Sequence, residues 1–242
     1  MSIPSLVDAF RADDGVTAIV GAGGKKTLIR RLTSALDMPV VTATVRIPPI
    51  ASWVETLAFT DEPVEVVRTA TDWPVGVLAG TDGPDRRLGY TPSTVDAIGA
   101  VGHPVLVKAD GARMRWFKAP GVDEPQLPQT SARVVWVASI GVVDSPLSAD
   151  LVHRPERVAA LTAREMGDPL SVDDLAKVAT HPRGGRKLVP DGADYIVCLN
   201  MVDDPQSTET AHSVAARITA IDPAVTVVLT SLIADDPIIG VY

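Results

Sequence analysis

Seven short apolar runs, rich in valine, constrain this chain more than any other feature. They are Val16–Val20, Val40–Thr44, Val75–Leu78, Val105–Ala109, Val134–Ala138, Tyr195–Asn200 and Val225–Thr230. Each has strand length and largely lacks polar alternation, as expected of strands buried on both faces. Helical patterns lie at Ser5–Arg11, Thr27–Leu36, Ser93–Val101, Arg154–Glu165, Ser171–Ala179 and Thr208–Ile221, and Ser171 followed by Asp174 marks a helix start. Strands alternating with helices predict an α/β fold, a mostly parallel sheet with helices on both faces. Residues 46–95 break the rhythm with Pro48-Pro49, Asp82-Gly83-Pro84 and Gly89. They read as a proline-rich insertion, a small subdomain within a single domain spanning 1–242. Residues 111–131 and 181–193 read as ordered loops.

Bulk numbers set limits on function. A chain of 242 residues suits one α/β domain, and 46% hydrophobic content supports a sizeable core. Aromatics make up only 4%, so Val, Ile, Leu and Ala must fill that core. The net charge of −8 argues against nonspecific nucleic-acid binding, which needs a basic footprint. Lysine is scarce beside arginine, and Asp exceeds Glu, a skew that suits a salt-tolerant or a GC-rich source. No apolar run approaches the roughly 20 residues of a membrane span. Ser2 to Phe10 lacks the basic flank and apolar stretch of a signal peptide, so a cytoplasmic protein with no membrane partner is expected. One cysteine excludes an internal disulfide framework and a cysteine-built metal site within the chain.

The chemistry concentrates where strand patterns end. The run Ile19-Val20-Gly21-Ala22-Gly23-Gly24-Lys25-Lys26-Thr27-Leu28 leads a strand through three glycines and two lysines into a helix. Glycines let backbone N–H groups approach an anion, and a helix N-terminus adds partial positive charge. The N–H groups of Ala22 to Lys25 are the expected phosphate cradle. A full P-loop places glycine six residues before its lysine, where this chain has Ile19 or Val20, so the loop reads as a shortened variant. Lys25, directly after Gly24, is the expected phosphate lysine. Thr27 could offer a hydroxyl to Mg2+, although Lys26 occupies the usual Ser/Thr position. The alternative is a glycine-rich turn that binds nothing. Against it, adjacent lysines at a helix start oppose the dipole unless an anion is present.

Three further clusters share the same setting. Val105-Leu106-Val107-Lys108-Ala109-Asp110-Gly111 has the shape of a Walker-B element, with Asp110 holding magnesium through hard oxygen ligands, or else of an ordinary strand-ending turn. Val197-Cys198-Leu199-Asn200-Met201-Val202-Asp203 resembles the base-reading Asn-Lys-x-Asp element of GTP-binding proteins, with Met201 in place of lysine; its alternative is a polar loop after a core strand. A thioether chain can still cover a base. Thr42 and Thr44 with Arg46 could touch phosphate or metal, or be strand residues followed by a surface arginine. Cys198 sits mid-strand as a core residue. His153 begins a helix pattern, His181 ends one, and no histidine pair has metal-ligand spacing.

The order of these motifs resembles the YqeC family of selenium-dependent molybdenum hydroxylase accessory proteins. The likeness rests on Gly21-Ala22-Gly23-Gly24-Lys25, on Thr42-Ala43-Thr44, and on Ala109-Asp110-Gly111-Ala112 continuing to Lys118-Ala119-Pro120 and Glu124-Pro125. Val152-His153-Arg154-Pro155-Glu156, His181-Pro182 and Leu199-Asn200-x-x-Asp203 complete it. The resemblance implies a P-loop NTPase-like fold, a nucleotide ligand (ATP or GTP with Mg2+, or a molybdenum-cofactor nucleotide) and support of an apo-hydroxylase. It adds Lys118, Glu124 and His153 to the candidate site. Lys26, Lys108 and Met201 depart from the family pattern, and all three lie in that site. A nucleotide-binding accessory protein with slow or partner-stimulated phosphoryl transfer is the expectation. The alternatives are a non-hydrolysing docking module and a small-molecule kinase, the latter lacking an assignable acceptor-site base or lid arginine.

Overall fold

Valine and isoleucine on both faces of a strand demand cover on both sides, and the fold supplies it. The computed structural model describes residues 3–242; Met1 and Ser2, the start of the stretch read above for a leader, lie outside the described residues. The elements run α1 (Leu6–Phe10), β1 (Val16–Gly21), α2 (Lys25–Ala35), β2 (Val40–Ala43), β3 (Thr56–Phe59), α3 (Pro63–Thr69), β4 (Val75–Leu78), β5 (Gly80–Thr81), β6 (Arg87–Leu88), α4 (Pro92–Gly99) and β7 (Val105–Lys108). They continue through β8 (Phe117–Lys118), β9 (Ser131–Ser139), β10 (Val152–His153), α5 (Pro155–Thr162), α6 (Val172–Thr180), β11 (Asp194–Asn200), α7 (Pro205–Ile221), β12 (Thr226–Thr230) and β13 (Ile238–Val241).

Among the described residues, nine strands form the central sheet in the order β13-β12-β11-β9-β1-β7-β2-β4-β3. Every pairing is parallel except β12 with β13 at one edge. All seven predicted strands lie in this sheet. The reason is visible in the alternation of side chains along each one. Ile19, Val135, Val137, Ile196 and Cys198 face α1 and α2, packing with Phe10, Leu28, Ile29 and Leu32. Ala18, Val20, Val134, Trp136, Val197 and Leu199 face the other way, against Val158, Leu175, Val178, Val214 and Ile218 of α5, α6 and α7. On the same far side α3 and α4 place Val67, Val95 and Ile98 over Val75, Val77, Val105 and Val107.

Two strands of the central sheet and one helix escaped the sequence reading. Strands β3 and β13 close the sheet edges, and neither is fully buried; edge strands lack the continuous apolar signal of central ones. Helix α3 lies inside the proline-rich stretch 46–95, with Pro63 at its first turn. That stretch, expected as a small inserted subdomain, instead extends the main sheet with β3 and β4, and only β5 and β6 pair apart from it. Helix α7 begins earlier than expected because Asp204 caps it through Ser207 and Pro205 occupies the first turn.

Candidate functional site

Because β11, β9, β1 and β7 are adjacent and parallel, their carboxyl ends bring Asn200, Ser139, Gly21 and the segment Ala109-Asp110 to one edge of the sheet. Ligands of open α/β sheets gather at such an edge. Strand β1 turns sharply there. Gly21 has φ 91°, and a side chain on it would strike the Val137 carbonyl. Gly24 has φ 144°, and a Cβ would collide with the Asn200 amide. Both positions exclude any residue with a side chain.

The amides of this turn divide into two groups. Ala22 N–H donates to the Val137 carbonyl at 2.7 Å and Gly23 N–H to the Arg115 carbonyl at 3.0 Å. The expected cradle of Ala22 to Lys25 amides is corrected accordingly, since those two are already engaged by backbone. The first bond within α2 runs from Leu28 N–H to the Gly24 carbonyl, and no side chain caps this helix. The N–H groups of Lys25, Lys26 and Thr27 therefore lie ahead of the intrahelical ladder.

Beneath the turn lies a buried ion cluster. Asp110 Oδ2 accepts the Gly21 N–H at 2.9 Å and pairs with Lys118 Nζ at 2.9 Å, while Oδ1 pairs with Lys25. Lys25 also donates to the Gly21 carbonyl, so its side chain folds back under the loop. Burial pushes the Asp110 carboxyl up, but the ammonium groups of Lys25 and Lys118 outweigh it and hold the carboxyl below its ordinary value. Lys118 also pairs with Glu124 at 2.7 Å, and Arg154 meets the same oxygen at 2.6 Å. Burial opposes ionisation of Glu124 as well, yet the bond from Arg154 and the charge of Lys118 bring it down to about 2. Among the described residues, no carboxylate pairs with Lys108. It donates to the carbonyls of Arg46 at 2.7 Å and Asp110 at 2.8 Å, and burial, with Lys25 nearby, lowers it to about 7. His153, beside Lys118 in the β8–β10 pairing, is lowered to about 4 by burial and by Arg154.

Magnesium does not fit the residues expected to hold it. Both Asp110 oxygens are engaged by ammonium or amide donors, so a magnesium ion there would have to displace Lys25 or Lys118 or sit against their charge. Thr27 is exposed, about 200° around the helix from buried Lys25, and is not brought to Asp110. Among the described residues, no group of three or more His, Cys, Asp or Glu side chains is placed to hold a metal ion.

The Asn200 element does reach the loop. Its Nδ2 donates to the Gly23 carbonyl at 2.8 Å, and its Oδ1 accepts Leu232 N–H and the Thr230 hydroxyl, both at 3.2 Å. Asp203 accepts a hydrogen bond from the Ser231 hydroxyl at 2.6 Å. Thr230, Ser231 and Leu232, at the end of β12, were missed as site residues; a Thr-Ser pair closing a valine-rich strand was the available signal. Met201 sits at φ 64° with its sulfur 3.0 Å from the Ser139 hydroxyl. A second missed feature is the strap 112–116, read only as part of an ordered loop. Arg113 and Met114 have φ of 47° and 63°, and the strap crosses the glycine turn so that the Trp116 carbonyl accepts Ser139 N–H at 3.0 Å. Met114 sulfur lies 3.0 Å from Lys26 Nζ.

The fourth cluster does not face the loop. Thr42 donates to the Val77 carbonyl at 2.8 Å and is fully buried between strands. Thr44 donates to the Gln126 carbonyl at 2.6 Å, and Arg46 pairs with Asp82 at the surface. Their hydroxyls and guanidinium are engaged structurally, which corrects their reading as phosphate or metal contacts.

Fold and site together define a mostly parallel α/β protein with a glycine-rich strand-to-helix turn, braced by an asparagine from a neighbouring strand and set over a buried lysine–carboxylate cluster. The chain belongs to the YqeC family: the family model described as YqeC protein matches residues 17–156. A similar curated protein is the "Uncharacterized protein YqeC" of Escherichia coli K12, 28% identical over 196 residues, covering 76% of this chain and 75% of that protein. No helix among the described residues is long and apolar enough to cross a membrane.

Proposed function

We propose that this protein is a nucleotide-binding accessory factor, acting in the cytoplasm in the maturation of a molybdenum-containing hydroxylase. The observation that carries the nucleotide reading is the bond from Asn200 Nδ2 to the Gly23 carbonyl. It ties the turn that would hold phosphates to the loop whose Asp203 carboxylate would accept hydrogen bonds from a purine edge. On this reading the amides of Lys25, Lys26 and Thr27 meet phosphate oxygens. Lys26 lies beside them, and Lys25 keeps the turn in shape from below. Asp203, oriented by Ser231, meets the base, and Met201 lies near its face. The hydroxylase role is what the family resemblance implies. Titration calorimetry with ATP, GTP and a molybdenum-cofactor dinucleotide tests the ligand class. Binding of at least one at micromolar to sub-millimolar concentration is expected, and none at millimolar concentration overturns the reading.

A docking module is the second reading. Met114 is 75% exposed and Trp116 39% exposed on the strap, so apolar side chains stand at the mouth of the turn. A partner protein seated there would cover them. Pull-down with a purified apo-hydroxylase, with and without nucleotide, separates this role from simple ligand storage.

A further inference from the structure

A site for several phosphates has to compensate several negative charges, and most nucleotide sites divide that task between a lysine and a magnesium ion. Here the division is different. The buried or half-buried cations beneath and beside the turn are Lys25, Lys108, Lys118 and Arg154, and the carboxylates facing them are Asp110 and Glu124. Even with Lys108, lowered to about 7, left out, three cations face two carboxylates, so charge is in positive excess before any ligand arrives. Both carboxylates are already paired with protein cations, which a metal ion would have to displace or approach. Asp110 is closed by Lys25, Lys118 and the Gly21 amide. Glu124 is closed by Lys118 and both terminal nitrogens of Arg154. Turning Asp110 toward a metal would strip two interior ammonium groups of their counter-charge, which is strongly unfavourable. The position after Lys25, where a hydroxyl would complete a magnesium shell, holds Lys26, an ammonium that repels the ion. Lys26 has no carboxylate partner among the described residues; its recorded neighbour is the Met114 sulfur.

We propose, resting on the nucleotide-binding reading of the same turn, that the protein takes its nucleotide as the metal-free anion and binds it without hydrolysis. Lys26, beside the unpaired amides of α2, supplies the compensation that a magnesium ion gives elsewhere, and the positive cluster below reinforces it. Hydrolysis is then disfavoured, because no metal bridges the outer phosphates to stabilise charge that develops as the bond breaks. The molecule is a nucleotide-responsive binding protein, its ligand held intact.

Calorimetric titration of ATP and of GTP into the full chain, once in excess EDTA and once in millimolar Mg2+, decides the matter. The expected result is affinity in EDTA equal to or greater than in Mg2+, with no phosphate release in either buffer. A loss of more than about threefold in EDTA overturns the proposal while leaving the nucleotide reading intact. Magnesium-dependent phosphate release overturns it equally. Absence of binding in both buffers removes the nucleotide reading and this inference together.

Discussion

Replacing Asp110 with asparagine keeps the side-chain shape and removes one negative charge from between two buried lysines. The separation from Lys118 Nζ is 2.9 Å, and at an effective dielectric of about 20 one such pair attracts by about 6 kcal/mol. Relaxation, water entry and deprotonation of a stranded lysine return part of this, so the expected loss is about 3–5 kcal/mol, as for other broken buried pairs. Asp110 is only 2% exposed, so solvent screening takes little from that figure. In a domain of this size the loss corresponds to a fall in Tm of about 6–20 °C. Urea unfolding followed by circular dichroism measures it. The sign of the pH dependence follows from the depressed carboxyl: its contribution is present above the unfolded value of about 3.9 and is lost as pH falls through the lower folded value. The gap between wild type and Asp110→Asn should narrow in acid, as the wild-type carboxyl takes up its proton, and narrow again toward alkaline pH, as a stranded lysine in the variant loses its own. A gap under about 1 kcal/mol at neutral pH, the scale of a surface pair, would refute the buried-cluster account.

Asn200→Ala leaves the buried Gly23 carbonyl and Leu232 N–H without partners; a loss of about 2–5 kcal/mol by denaturant titration is expected. Gly21→Ala drives a methyl group into the Val137 carbonyl at φ 91°, and should cost at least about 3 kcal/mol or prevent soluble expression. Lys108, lowered to about 7, binds a proton in the unfolded chain that it lacks in the folded one between pH 7 and 9. Wild-type stability should therefore gain a rising component across that range, and Lys108→Met should remove it in parallel urea titrations. Cys198 is fully buried, and burial lifts its thiol to about 12. It should resist a thiol-specific chromogenic reagent until the protein is unfolded, which also bars it from carrying sulfur or selenium as a persulfide in the folded state.

Much of the sheet was legible because central parallel strands announce themselves as unbroken valine-rich runs, whatever their partners. Thr56–Phe59 and Ile238–Val241 were not, because an edge strand satisfies only one side and its sequence carries a weaker pattern. In the site, Gly21, Gly24 and Asn200 were readable from local order along the chain. Thr27, Thr42 and Arg46 misled for a shared reason: a residue type and a spacing say that a side chain could reach a ligand, while helix phase and neighbouring strands decide where it points. Helix phase turns Thr27 to solvent, and β4 claims the Thr42 hydroxyl.

What the sequence determined alone was the alternation of strand and helix and the glycines that force β1 to turn, since both depend on residues near one another in the chain. Only the tertiary structure decided that Lys118 of β8 would close on Asp110, that the Arg115 carbonyl would take the Gly23 amide, and that Ser231 would orient Asp203. Those contacts join segments brought together by strand order. Strand order emerges from covering two apolar faces at once, a requirement on the whole sheet that no single stretch of residues carries.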